Sequence, residues 1–141
     1  MIMKSQRITN KEAKLLMENV ISIAEKHKVA VAVAIVDKKG NLVLLERMDE
    51  VMGIASLIAE GKATTAILVN FLENDRCFQS LSKGNSLSNL FISCKKPYVP
   101  AEGGFPLFRN ECLIGGIAVS GSMNMELDKQ ITEEALKKLY A

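Results

Sequence analysis

The chain has no tryptophan, a single histidine, and aromatic residues at only 5% of its 141 positions. A core without large rings must be filled by Val, Ile, Leu, Ala and Met. The 48% hydrophobic content supplies enough of them for one ordinary domain over residues 1–141. An excess of one charge is missing too. The formal net charge is +2, and basic residues are interleaved with acidic ones. Without a basic stripe, no nucleic-acid partner is expected. No apolar run is long enough to span a bilayer, and no apolar segment follows Lys4 and Arg7. Neither a membrane partner nor a signal peptide is therefore expected. The three cysteines, Cys77, Cys94 and Cys112, stand far apart, form no C-x-x-C pair, and are remote from His27. That spacing argues against a zinc site, so no metal ligands are assigned. An odd cysteine count without a secretion signal suggests reduced thiols in the cytoplasm.

Familiar catalytic signatures are also lacking. Gly61-Lys62 is followed by Ala63, with no glycine at the earlier P-loop position. Gly115-Gly116 and Gly121 do not make a dinucleotide fingerprint, and Ser120 has no G-x-S-x-G frame. With one imidazole, acid–base chemistry would fall to carboxylates and lysine.

What is present is strong patterning. Thr9 and Glu12 form a capping-box signature before Ala13, Leu16, Met17, Val20 and Ala24, which recur at helical spacing. Lys26, His27 and Lys28 place positive charge where the helix dipole favours it. Val29 to Val36 is a short apolar β-branched run, which predicts a strand covered on both faces. Asp37 to Asn41 is a turn, and Leu42 to Met48 returns as the second strand of a hairpin. Ala55 to Leu72 predicts a helix, and Asp75 to Phe91 short helices around a Lys83-Gly84-Asn85 loop. Pro97 to Pro106 can form only an edge or bulged strand, because proline donates nothing to a ladder. A second hairpin turns at Arg109-Asn110-Glu111, and Leu127 to Tyr140 predicts a closing helix. The order reads as α+β: an antiparallel sheet flanked by N- and C-terminal helices, in a profilin-like or PAS-like arrangement.

Candidate chemistry sits at element ends. Arg47, at the exit of the second strand, could fork onto a carboxylate or pair with Asp49 at the surface. Lys62 could hold an anion, or lay its stem on apolar surface with its head in water. Gly103 and Gly104 could present backbone N–H groups to an anion, with Phe105 flanking a flat ligand; the same stretch could simply be a bulge that bends a strand. Gly115-Gly116 permits close approach by a ligand or by a packed helix. His27 is the only histidine available as a haem axial ligand, or it is a solvated residue at a helix end.

Taken in order, several segments resemble the GlcG/HbpS-like family of haem-degrading domains, which includes the PduO C-terminal domain and OrfY-like proteins. They are Ala32-Val33-Ala34-Ile35-Val36-Asp37 with Gly40, Arg47-Met48-Asp49, and Lys62-Ala63 with Thr65-Ala66. Gly103-Gly104 with Pro106, Gly115 to Gly121, and Asp128 complete the set. The likeness runs from about Thr9 to the C-terminus. The charged Glu25 to Lys28 stretch and Cys94 to Pro100 depart from it.

The resemblance implies a profilin-like fold and a homo-oligomer, from dimer to octamer. For some members it implies haem binding, and for others a glycolate, glycerol or diol utilisation context. It also implies a shared ligand pocket at Arg47, Lys62, Gly103, Gly104 and Pro106. It carries no catalytic residue. The first expectation is a binding module for a small molecule, with haem, a related tetrapyrrole or a corrinoid as cofactor. The second is an oligomeric accessory protein of a diol or glycerol dehydratase system. The third is an enzyme on a small hydroxy acid or aldehyde, with Glu102 or Asp49 moving a proton.

Overall fold

A computed structural model describes residues 7–74 and 103–140. The readings on Lys4, on Asp75 to Phe91 with Cys77, on Cys94, and on Pro97 to Glu102 lie outside the described residues. Within them the order is α1 (Asn10–Lys26), β1 (Ala32–Asp37), β2 (Leu42–Arg47), α2 (Ile54–Asn74), β3 (Gly104–Arg109), β4 (Cys112–Ser120) and α3 (Met125–Tyr140). The four strands form one antiparallel sheet in the order β2-β1-β4-β3. This is an α+β fold with the N- and C-terminal helices flanking the sheet.

Local chemistry explains the element ends. The Thr9 hydroxyl accepts from the Glu12 backbone N–H at 3.1 Å, and the Glu12 carboxylate accepts from the Thr9 N–H at 3.1 Å. The capping box therefore starts α1 as its sequence predicts. Asp37 closes the β1–β2 turn by accepting from Lys39 and Asn41 N–H, and Gly40 takes φ 81° there. Pro106 sits in β3, which is an edge strand, so its missing N–H leaves the sheet interior intact.

β1 is buried along almost its whole length because helices cover both faces of the sheet. Val31, Val33, Ile35, Ile117 and Val119 face α1 and α3, together with Leu16, Val20 and Ile131. Ala32, Ala34, Val36 and Ala118 face α2. The pairing of β1 with β4 joins residues about 80 positions apart and builds the centre of the sheet, Ala32 opposite Ser120 through Asp37 opposite Gly115.

Candidate functional site

The α2 side of the sheet is made of small residues in register. Leu45, Ala34, Ala118 and Gly104 form one row across the four strands. α2 presents Ala55, Ala59 and Ala63 to this surface, so helix and sheet approach to backbone contact. A Cβ placed on Gly104 would stand 2.2 Å from the Lys62 carbonyl oxygen, and one on Gly116 would stand 2.9 Å from the Ala63 carbonyl oxygen. Both glycines exist to let α2 down onto the sheet. For Gly116 this is the packed-helix alternative of the sequence reading.

Lys62 and Gly103 meet directly. Gly103 has φ +115°, and a Cβ there would lie 2.9 Å from Lys62 Cε and 3.1 Å from Nζ. Lys62 is only 2% exposed, and its ammonium donates to the Val119 carbonyl at 2.8 Å. Among the described residues the ladder between β3 and β4 ends at Gly104–Ala118, and Lys62 takes up the carbonyl of the next β4 residue, Val119. Burial pushes the Lys62 amine below its ordinary value, and the nearby Asp128 carboxylate offsets part of that shift. Asp128 is 3% exposed, and its carboxylate accepts from the Ser122 N–H at 3.2 Å. The two groups share no ion-pair contact; their coupling acts through space. Lys62 is thus neither an open anion hook nor a lysine with a solvated head. It is a buried strut joining α2, the start of β3 and the end of β4.

The other residues singled out in the sequence are dispersed. Arg47 lies at the end of the opposite edge strand, three strands from Gly104, and is exposed. Its guanidinium rests against the turn before α2, with Nη1 3.1 Å from where a Gly53 Cβ would stand, and it makes no ion pair with Asp49. Alternation along β3 sends Pro106 to the same side as Gly104 and Phe105 to the other side, where Phe105 packs on the α1–α3 core. Phe105 therefore does not share a face of the sheet with Gly104 and Pro106. His27 caps the C-terminus of α1, half-buried, and its Nε2 lies 3.3 Å from Glu134 Oε1 of α3. Thr64 and Thr65 turn their hydroxyls back onto the Glu60 and Gly61 carbonyls.

Two features had no reading in the sequence. The first is the turn that Arg47 rests on: its guanidinium lies against Gly53, whose chain neighbours Met52 and Ile54 are exposed, and Leu45, two positions before Arg47 on the same face of β2, is exposed too. Single exposed hydrophobics are ordinary, and only the fold brings the Gly53 turn that carries two of them against Arg47. The second feature is an ion pair between Arg109 Nη2 and Glu12 Oε1, across 97 positions of sequence. Burial opposes ionisation of Glu12, but hydrogen bonds from Arg109 and Thr9 outweigh it and hold the carboxyl below its usual range. Among the described residues no group of three or more His, Cys, Asp and Glu side chains could hold a metal ion, and no helix is long and apolar enough to cross a membrane.

The family model described as haem degrading protein HbpS-like matches residues 8–137. An uncharacterised 15.0 kDa protein of the dhaT-dhaS intergenic region of Citrobacter freundii is 32% identical over 136 residues, 94% of each chain. The corrinoid adenosyltransferase PduO of Citrobacter freundii is 30% identical over 113 residues, 80% of this chain. The chain spans only a third of the length of that relative, 33%. Among solved structures, the ORFY protein of Klebsiella pneumoniae is 30% identical with a TM-score of 0.74, covering 100% of this chain and 98% of its own. The PduOC:haem complex is 26% identical with a TM-score of 0.72, covering 93% of this chain and 94% of its own.

Proposed function

This chain belongs to the HbpS-like family of haem-degrading proteins, and from that premise we propose that it is a binding module for haem or a related tetrapyrrole, corrinoids included, serving diol or glycerol utilisation. The observation that carries the reading is Arg47 with its surround. One exposed guanidinium lies against Gly53, between exposed Met52 and Ile54 in the chain, with exposed Leu45 two positions before it on the same strand face, and so offers a cation close to apolar residues. A flat apolar anion needs that pair of properties: surface to cover its faces and a donor fork for its carboxylates. The haem complex of a relative that matches nearly the whole chain supports the choice of ligand.

Residue roles follow from position. Arg47 pairs with a propionate. Lys62, Gly103, Gly104 and Pro106 act behind the ligand by fixing α2 on the sheet, since Lys62 cannot reach outward without giving up Val119. Phe105 serves the core. Haem, when bound, would supply iron and an aromatic plane. The iron ligand is the weaker fit, because His27 lies with α3 on the far side of the sheet from Arg47.

The test is haem titration followed by absorbance. A saturable Soret band is expected, weakened about tenfold in Arg47→Ala, the loss of one charge-assisted contact worth about 1.4 kcal/mol. A shift in band position in His27→Ala would make His27 an axial ligand supplied across an assembly. No band on mixing, or equal affinity in Arg47→Ala, overturns the reading.

A second reading rests on β2. It is an edge strand with Leu42 and Leu45 exposed, the kind of edge that another subunit covers. An oligomeric accessory role would follow, and light scattering that returns a monomer removes it.

A further inference from the structure

The reading above lacks a residue to hold the iron, and one end of the sheet offers it. The register sets Arg47 and Ser120 on either side of Ala32, so the turn after β2 and the loop after β4 leave the sheet at the same end. Between these two segments and the residues leading into β1 lies a hollow of about 290 Å³. Val29, Ala30, Glu50, Met52, Ser122 and Met123 line it. The two segments touch at its base, where a Cβ on Gly121 would stand 2.8 Å from Val51 Cγ1.

Each of the two segments carries an exposed thioether. Met52 is 54% exposed and Met123 81%, so both present surface to a ligand. Glu50 and Met123 hold φ 69° and 68°, the left-handed region that costs a residue with a Cβ. Such residues persist where the surrounding structure fixes them, and they cluster at ligand clamps. Chain reversal alone explains either one. It does not explain why both segments bring an exposed sulfur to the same hollow.

The other soft or imidazole donors among the described residues are placed elsewhere. Met17 is buried in the core, and Met48 Sδ accepts from the Val31 N–H at 3.4 Å. His27 faces Glu134, and Cys112 starts β4 at the opposite end of the sheet. Haem carries its carboxylates on one edge and its iron at the centre, so its site needs a cation and an iron ligand a short way apart. Met52 directly precedes Gly53, against which the Arg47 guanidinium rests. Glu50 in the same hollow repels carboxylates, which suits the iron end of the ring better than its propionate edge. A methionine thioether is a soft ligand that haem iron accepts, and it raises the reduction potential. We propose that Met52 Sδ is an axial ligand of the haem iron, with Met123 as an apolar cover over the ring. This rests on the haem reading and adds to it the residue that holds the iron.

The full chain loaded with ferric haem tests this by absorbance and by redox titration. A sulfur-to-iron charge-transfer band at the red end of the spectrum is expected in wild type. It should be lost in Met52→Leu and kept in Met123→Leu, and the midpoint potential should fall in Met52→Leu. Leucine keeps the apolar bulk of an exposed side chain, so the change removes the sulfur and little else. Proton NMR of the reduced wild-type complex gives a readout that needs no variant: the ring current moves the methyl signal of a ligating methionine far upfield. A Soret band without the charge-transfer band or the upfield methyl leaves haem binding standing and overturns the ligand. No Soret band overturns both readings. A charge-transfer band kept in Met52→Leu, or lost equally in Met123→Leu, overturns the assignment to Met52.

Discussion

The two faces of the sheet are packed by opposite means. Toward α1 and α3 the contacts are made by bulk: Leu16, Ile35, Leu107, Ile117 and Ile131 fill the space with large aliphatic side chains. Toward α2 they are made by closeness: Gly104, Gly116 and a set of alanines bring backbones together. The difference determines which mutations each face tolerates. A face packed by bulk has side chains that can move a few tenths of an ångström. A face packed by backbone has carbonyl oxygens that cannot move without moving a helix. It also explains where the unusual polar groups sit. The close face encloses a buried cation, Lys62, and the bulky face keeps its ion pair, Arg109 with Glu12, at its rim.

The comparison is sharpened most by changing each face by one methyl group. Gly104→Ala adds one within 2.2 Å of the Lys62 carbonyl, and helix α2 must lift to admit it. The expected cost is about 3 kcal/mol or more, the upper end for overpacking a core. Ile117→Val, on a neighbouring strand but facing α1 and α3, removes one and should cost about 1 kcal/mol. Urea denaturation of both variants measures the contrast, and equal costs would mean the faces do not differ as argued.

Lys62 gives the next largest effect and separates strut from charge. Lys62→Ala removes a buried stem and leaves the Val119 carbonyl unpaired, for an expected loss of about 2–3 kcal/mol. Lys62→Met keeps most of the stem and removes the desolvated charge, so it should cost less than about 1.5 kcal/mol. The pH dependence differs in sign from that of a paired lysine. The folded-state value is lowered, so above it the unfolded chain holds the proton that the native chain has released. Wild-type stability should therefore rise with pH toward the ordinary lysine value of 10.5, and Lys62→Met should lose that rise. A variant that keeps the full slope would place the titration elsewhere.

This contrast between faces was only partly legible in the sequence. Each element announced itself through periodicity and caps: Thr9 with Glu12 for α1, the apolar run to Val36 for β1, the glycine turn at Gly40, and Pro106 for an edge strand. Chain-local hairpins gave the β1–β2 and β3–β4 pairs. The central pairing of β1 with β4 had no local signal, because it closes a loop of about 80 residues. For the candidate site the strand period itself held information: alternation alone separates Phe105 from Gly104 and Pro106. The convergence of Lys62 on Gly103 could not be read, since a helical lysine looks the same whether water or a strand end lies beyond it. Arg47 was legible as a cation at a strand exit. The turn it rests on was not, because Gly53 comes against Arg47 only in the fold.

The smallest effect belongs to the bulky face and tests how far its charged rim holds the fold. Glu12 is half-exposed, so the Arg109 pair and the capping box are screened by water, and the pair is worth only a fraction of a kcal/mol, about 0.5. Its folded-state carboxyl value is lowered, so its contribution is complete above the ordinary value of 4.5 and is lost as pH falls through the depressed value. Unfolding of wild type and Glu12→Gln, compared from pH 7 to pH 3, should show the two curves converging by about that amount toward acid. If the gap between them stays constant, Glu12 acts through its cap and packing alone. A gap that closes by several kcal/mol would instead make the rim a main support of the bulky face, and the contrast between faces would no longer rest on packing.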